Sequence, residues 1–130
     1  MILLDTHVWW WSLSEPENLS DAARNTIKET KTDQRAIASI SIWEFAMMVT
    51  RKKIELKITP AEWLSYALGK TGIRVMALDP DVAIEACSLP GNFHKDPADR
   101  IIVATARVNN MALVTKDKKI IEYPQVNTVW

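Results

Sequence analysis

Short apolar runs alternate along the chain with stretches in which apolar residues recur at helical spacing. Three of the runs are too short for a helix, are rich in small and branched side chains, and end in polar residues: Ile2–Leu4, Ala36–Ile40 and Met111–Thr115. These features are typical of buried strands. A further strand is expected at Val75–Leu78 and a terminal one at Val126–Trp130. The pattern therefore predicts a sheet of four to five strands.

Capping residues mark the starts of the predicted helices. Ser20, Ser41 and Thr59 each precede a favourable first turn, while Asp79 and Asp96 each precede a proline suited to the first helical position. Apolar strands that alternate with helices predict an α/β fold, a three-layer α/β/α sandwich around a mainly parallel sheet, built as a single domain over residues 1–130. Helices are expected near 6–13, 20–31, 41–53, 60–70, 79–88 and 97–109.

Composition and charge narrow the classes of protein that are compatible with this pattern. Sixteen basic and sixteen acidic residues cancel, so overall charge cannot attract a polyanion, and any nucleic-acid site must be local. The single cysteine, Cys87, cannot form an internal disulfide and is expected to pack as a small apolar side chain, which fits a reducing compartment. No basic leader is present, and no apolar run approaches the roughly 20 residues that cross a bilayer. We therefore expect a cytoplasmic protein without a membrane segment.

Acidic residues occupy the positions where a parallel sheet binds ligands. Asp5 and Asp117 follow the first and the late strand, Glu44 lies in the first turn after the second strand, and Asp99 begins the helix that precedes the late strand. Carboxylates that converge without matching cations repel, one pair at 4 Å costing about 4 kcal/mol at an effective dielectric constant of 20. Magnesium relieves this repulsion and prefers oxygen ligands, and manganese can substitute. One or two such ions would serve the hydrolysis of a phosphodiester.

Ordinary structural interpretations compete with this one. Asp5 could cap the next helix, and Asp117 could be a turn residue. Ser41 and Glu44 match a capping box, a pattern that recurs at Thr59–Glu62 where no chemistry is expected. The pattern alone therefore leaves Glu44 undecided, and its position directly after a strand favours the functional interpretation.

The segment before the sixth helix offers two acids and a histidine. Pro97 makes Asp96 the N-cap, so Asp99 is the preferred metal ligand. No second histidine has metal-ligand spacing to His94. Whether Asp96 or His94 joins the site stays open.

Basic and aromatic residues near the acids are candidate contacts for a nucleic acid. Lys116, Lys118 and Arg100 are the predicted substrate contacts, because cations bind phosphates. Adjacent helical residues point about 100 degrees apart, so at least one tryptophan of Trp9–Trp11 is expected at the surface. An exposed tryptophan could stack on bases or anchor a protein interface, and the interface interpretation is preferred.

The order and spacing of Leu3–His7, Ser39–Glu44, His94–Arg100 and Leu113–Asp117 resemble the PIN-domain family over nearly the whole chain. Within it the chain looks most like the VapC toxins of bacterial type II toxin–antitoxin pairs. The resemblance implies a magnesium-dependent ribonuclease, a homodimer, and a cognate VapB-like antitoxin that lies along the active-site groove. Ala98 stands where the subgroup often has an aromatic residue. The catalytic residues are then Asp5, Glu44, Asp99 and Asp117, with Asp5, Asp99 and Asp117 as the metal ligands.

Three other functions compete with the toxin hypothesis. A PIN-like nuclease could process RNA without any antitoxin. An inert binding domain could use the tryptophans as its working surface and the acids as helix caps. A phosphoacceptor module needs an acid pair after its first strand, whereas Asp5 is followed by Thr6 and His7. The order of preference is the ribonuclease, then the binding domain, then the phosphoacceptor.

Overall fold

The computed structural model describes residues Met1–Trp130 and contains one sheet of five parallel strands. In chain order the strands are β1 (Ile2–Leu4), β2 (Arg35–Ala38), β3 (Arg74–Met76), β4 (Ala112–Val114) and β5 (Thr128–Val129). Their order across the sheet is β3-β2-β1-β4-β5. The first strand is therefore central, and Leu3 pairs with Ala36 on one side and with Leu113 on the other.

Helices lie in every connection between successive strands, and the last connection contains only one short helix. They are α1 (Thr6–Ser14), α2 (Asp21–Glu29), α3 (Ile40–Thr50), α4 (Pro60–Gly69), α5 (Pro80–Cys87), α6 (Pro97–Val108) and α7 (Lys118–Ile121). Two single 3-10 turns lie at Pro16–Asn18 and Thr32–Gln34. The longest helix has 12 residues, and no helix combines the length and apolar character needed to cross a membrane.

Side-chain caps fix four of the helix starts at the predicted residues. The Ser20 and Thr59 hydroxyls and the Asp79 and Asp96 carboxylates each accept a hydrogen bond from a backbone N–H in the first turn of α2, α4, α5 and α6. Proline occupies the first turn of the last three. These local signals are independent of tertiary structure, which is why the sequence revealed them.

Two apolar cores lie on opposite faces of the sheet, because successive strand residues point to opposite sides. Leu4 packs in the core formed with α1, α2, α3 and α4, where the Phe45 and Trp63 rings stack with centroids 4.2 Å apart and Trp9 lies edge-on. Leu3 packs in the other core, with α5 and α6. The predicted three-layer α/β/α arrangement with a parallel sheet is confirmed.

The junction between β2 and α3 differs from the expectation. The strand ends at Ala38 rather than Ile40, and α3 begins at Ile40 after Ser39, which makes no side-chain cap. The Ser39 hydroxyl instead accepts a hydrogen bond from the Leu78 N–H beside β3. The predicted N-cap at Ser41, and with it the Ser41–Glu44 capping box, is wrong because Ser41 lies inside the helix and is fully buried.

Other differences are smaller. The chain after Asp117 forms the short helix α7, where only a turn was expected. Strand β5 is confined to Thr128–Val129, because only this part of the predicted terminal strand pairs with β4. Cys87 is exposed at the end of α5, so the expectation that it packs in the core is wrong.

Candidate active site

One cavity at the carboxyl edge of the sheet brings the four predicted acids together. It encloses ≈ 440 Å³ and is lined by Asp5, Glu44, Asp99 and Asp117. Asp5 follows the central strand β1, Asp117 follows its neighbour β4, and Glu44 and Asp99 project from the N-terminal halves of α3 and α6. The remaining lining residues are Thr6, His7, Val8, Trp11, Met48 and Lys116.

Hydrogen bonds fix both carboxylate oxygens of Asp5. Its Oδ1 accepts from the Thr6 N–H at 2.8 Å, which caps α1, and its Oδ2 accepts from the Thr115 hydroxyl at 2.6 Å. Its own N–H donates to the Val114 carbonyl of β4 at 3.0 Å. Burial raises the pKa of Asp5, while the hydrogen bonds from Thr115 and Thr6 oppose that rise. The residue is therefore both a helix cap and a rigidly held wall of the cavity.

The Thr115 hydroxyl also orients the segment that carries Asp117. It accepts a hydrogen bond from the Asp117 N–H at 3.1 Å while it donates to Asp5, and the side chain is fully buried. Asp117 Oδ1 accepts from the Lys119 N–H at 2.9 Å and so caps α7. Sequence reasoning missed Thr115, although a threonine between an apolar strand and a candidate ligand is a usable signal.

Glu44 is held by a buried pair of hydroxyl groups rather than by the backbone of its own helix. Thr6 Oγ1 lies 2.6 Å from Glu44 Oε1 and 2.8 Å from Ser41 Oγ. Because a hydroxyl has one proton, we assign the Thr6 proton to the carboxylate and the Ser41 proton to Thr6. Burial raises the pKa of Glu44, repulsion from Asp5 adds to this, and the hydrogen bond from Thr6 opposes it. Sequence reasoning missed both hydroxyl residues.

Replacement of Thr6 by valine is expected to raise the pKa of Glu44 further and to lower the free energy of unfolding by about 1–3 kcal/mol. The variant removes the donor to the carboxylate and leaves the buried Ser41 hydroxyl without a partner. An NMR titration of the Glu44 carboxyl carbon and urea unfolding would measure the two effects. Thr105→Val is the matched control, since the Thr105 hydroxyl is buried but bonds only to the Ile101 carbonyl of its own helix. An unchanged Glu44 titration in Thr6→Val would contradict the assignment.

Asp99 carries another carboxyl group with a raised pKa. Burial raises its pKa from 3.8 to about 7, and repulsion from Asp5, Asp96, Asp117 and Glu44 contributes in that order. Its N–H donates to Asp96 Oδ1 at 3.0 Å, so Asp96 is the N-cap of α6, as predicted, and does not line the cavity. The Asp99 carboxylate is thus aimed at three other acids.

His94 is the only basic side chain within 4.0 Å of the Asp99 carboxylate. Its Nδ1 accepts from the Asp96 N–H at 3.2 Å, which places the proton of a neutral ring on Nε2. Nε2 lies 3.1 Å from Asp99 Oδ2, but the angle is too poor for a hydrogen bond, and the atom has no other partner. His94 therefore restrains Asp99 by close contact and does not line the cavity.

The charge balance of the cavity fits a divalent cation. No lysine or arginine lies within 4.0 Å of any of the four carboxylates. The only basic side chain within that distance is His94, which contacts Asp99. A magnesium or manganese ion prefers such hard oxygen donors and would stabilise them in ionised form. No three His, Cys, Asp or Glu side chains form a ready-made metal cage. A magnesium ion here would therefore contact few of these carboxylates directly and would keep water in its remaining positions.

The three basic residues predicted to contact a substrate differ in position. Lys116 is exposed and lines the acid cavity, whereas Lys118 is exposed at the start of α7 and does not line it. The Arg100 guanidinium is directed away, because it donates to the carbonyls of Ala86, Phe93 and His94 at 2.8–3.1 Å. Arg100 therefore ties the loop before α6 to α5.

Comparison with known proteins places this geometry in a family. The family model of the PIN domain matches residues 2–126. Ribonuclease VapC22 of Mycobacterium tuberculosis is 39% identical over 131 residues, with 99% of this chain and 98% of the relative covered.

Solved structures of similar fold have lower sequence identity and so bear on the fold alone. FitAcB from Neisseria gonorrhoeae superposes with a TM-score of 0.72 at 20% identity, covering 98% of this chain and 96% of that chain. A toxin-antitoxin complex from Klebsiella pneumoniae gives 0.68 at 23% identity, covering 97% and 95%. DNA-bound VapBC from Salmonella typhimurium gives 0.69 at 19% identity, covering 98% and 97%. The match of the PIN domain model and the similarity to VapC22 show that this chain is a VapC-like member of the PIN domain family.

Proposed function

We propose that the protein is a magnesium-dependent endoribonuclease and the toxin of a type II toxin–antitoxin pair. The observation that carries the proposal is the single cavity in which Asp5, Glu44, Asp99 and Asp117 meet from four separate segments without a balancing cation. Its ribonuclease relative, VapC22, supports the choice of RNA as substrate. The reaction is the hydrolysis of an RNA phosphodiester by water.

Three of the acids in the cavity are proposed as metal ligands, and the fourth, Glu44, is proposed to act on a water molecule. Asp5, Asp99 and Asp117 would hold magnesium, or manganese in its place, and a bound ion would offset negative charge and activate a water molecule. Glu44, fixed by the Thr6 hydroxyl, is placed to orient or accept a proton from a water in the cavity. Asp5 is the most rigid of the ligands because both of its oxygens are already hydrogen-bonded.

Substrate binding is assigned to the lysines that follow β4. Lys116 lines the cavity, so its ammonium can reach a phosphate next to the one that is cleaved. Lys118 is exposed nearby, at the start of α7, and extends the positive surface outside the cavity. We assign Arg100 a structural role, since three backbone carbonyls already occupy its guanidinium.

An antitoxin partner completes the proposal. The fold is shared with structures described as a toxin-antitoxin complex and as VapBC bound to DNA. A VapB-like antitoxin that covers the acid cavity would keep the enzyme inactive until it is removed. We further propose that the protein is a homodimer that acts in the cytoplasm, where RNA is its substrate.

Purified protein is expected to cleave single-stranded RNA in magnesium, to lose this activity in excess chelator, and to regain it when magnesium or manganese is restored. Asp5→Asn should remain inactive under all of these conditions, because it removes a charge that the ion needs. Gel analysis of a labelled RNA would measure cleavage. The matched control is Asp33→Asn, since Asp33 is exposed on the 3-10 turn before β2, at the opposite edge of the sheet.

Three outcomes would contradict the proposal in whole or in part. Cleavage that persists in chelator, or equally in Asp5→Asn, would exclude the acid cavity as the source of the activity. Absence of cleavage together with tight, magnesium-independent binding of a protein partner would favour the inert binding domain instead. Normal cleavage by a chain that no neighbouring gene product inhibits would identify an RNA-processing nuclease rather than a toxin.

A further inference from the structure

The third tryptophan of α1 forms a wall of the acid cavity. Trp9 and Trp10 are buried, with 1% and 8% of their surface exposed, and belong to the aromatic core on one face of the sheet. Trp11 points about 100 degrees away from Trp10 around the helix, is half-buried, and lines the cavity that contains the four acids. It is the only Trp, Tyr or Phe side chain in that lining.

Neighbouring rings restrain the Trp11 indole. The His7 imidazole lies one turn earlier on α1, with its centroid 5.5 Å away at an interplanar angle of 51°. Trp130, after β5, lies 6.2 Å away at 49°. Both neighbours are tilted, so neither stacks flat on the indole. The ring is therefore held in place without having its face covered by another flat ring.

Lys116 is directed to this indole rather than to the acids. Its Nζ lies 5.7 Å from the Trp11 ring centroid, a cation–π contact. It is the only Lys or Arg that lines the cavity, yet it forms no ion pair with any carboxylate there. The cavity thus presents, next to the carboxylates, an indole with an ammonium group over its ring that is not engaged in any ion pair.

We infer that Trp11 and Lys116 form a nucleotide subsite, in which the ammonium group moves from the indole to a phosphate while the adjoining unpaired base stacks on the indole. The inference rests on the proposed ribonuclease function and adds to it the residues that bind a nucleotide next to the cleaved bond. An indole can stack on any base but needs a base whose face is free, which a duplex does not offer. The subsite therefore selects single-stranded RNA beside the cleaved bond.

Binding of a labelled single-stranded RNA oligonucleotide, followed by fluorescence anisotropy at several salt concentrations, tests the subsite. The measurement is made in the Asp99→Asn background, so that it does not depend on cleavage. Trp11→Leu is expected to weaken binding about tenfold without changing the salt dependence, and Trp11→Phe to restore most of the affinity. Lys116→Gln should lower the slope of log affinity against log salt by about 0.7, the value for one phosphate contact on a single strand. The same oligonucleotide annealed to its complement should bind equally to the Trp11→Leu protein and its parent.

The matched control is Trp43→Leu, because Trp43 is 56% exposed on α3 but does not line the acid cavity. It is expected to keep the affinity within about twofold. The inference is overturned if Trp11→Leu binds normally, if Trp43→Leu loses as much affinity, or if Trp11→Leu lowers the salt slope as Lys116→Gln does, since Trp11 would then only support the lysine. Trp11-dependent binding by a wild-type protein that cleaves no RNA would support the subsite while contradicting the nuclease.

Discussion

Asp99→Asn is expected to reduce RNA cleavage on the order of a hundredfold or more while raising the stability of the magnesium-free protein. The two effects share one cause. Burial of the Asp99 carboxyl, together with repulsion from Asp5, Asp96, Asp117 and Glu44, raises its pKa to about 7. An amide relieves this repulsion, but it removes a charge that a catalytic cation needs, and losing one group that stabilises developing charge typically costs 10²–10³-fold in rate. Cleavage kinetics in magnesium and thermal unfolding in chelator would measure the two effects.

Asp96→Asn is the matched control for this prediction. It also removes a negative charge beside Asp99, but asparagine caps a helix as well as aspartate does. Because Asp96 does not line the cavity, the variant should cleave RNA within about threefold of the wild-type rate. A loss in Asp96→Asn as large as that in Asp99→Asn would place Asp96 among the catalytic groups. A destabilised Asp99→Asn protein would contradict the account of repulsion.

The magnesium-free protein is expected to lose stability as the pH rises from about 4 to about 7. Asp99 has a pKa of about 7 in the folded protein and an ordinary value of 3.8. Between these values the folded state keeps a proton that the unfolded state has released, so the stabilisation is complete below the lower value and is lost as the pH passes the higher one. The raised pKa values of Asp5 and Glu44 act in the same direction. At 1.36 kcal/mol per pH unit the Asp99 difference amounts to about 4 kcal/mol, which solvent screening reduces to about 2 kcal/mol.

Urea unfolding at pH 4.5, 6 and 7.5, in chelator and in excess magnesium, would test this. A ligand that binds only the folded state stabilises it, so magnesium should restore most of the stability lost at pH 7.5. Asp99→Asn should show a flatter pH dependence in chelator and little response to magnesium. Stability that rises over the same pH window in the metal-free wild-type protein would show that the acids do not repel each other as their positions imply.

Local signals explain why much of the layered fold could be predicted from the sequence. The strand at Ile2–Leu4 is too short and too apolar for any other element, and Pro80 and Pro97 each follow an acid that caps the helix. Such features depend on neighbours within four residues. The positions of Asp5 and Asp117 could be predicted for the same reason, since both directly follow strands of a parallel sheet.

Features that depend on distant partners could not be predicted in this way. The Thr6 hydroxyl meets Glu44 and Ser41 across 38 and 35 residues of sequence, and nothing near Thr6 in the chain indicates that contact. The capping box at Ser41 failed because α3 already begins at Ile40, while the hydroxyl of the preceding Ser39 accepts a hydrogen bond from Leu78, 39 residues away. The direction of Arg100 into backbone carbonyls likewise depends on how α5 packs on α6.

The pairing of Asp5 with Thr115 has a consequence for when the protein becomes active during synthesis. The two residues are separated by 110 positions, and the central strand β1 completes its pairing only when β4 is present. Contacts between such distant parts of a chain form late, because closing a long loop is entropically costly. Almost the entire polypeptide would therefore have to leave the ribosome before the proposed metal ligands could assemble. Under the proposed toxin function, chains that stall or are cleaved before Thr115 would lack Asp117 and be harmless to the cell that makes them.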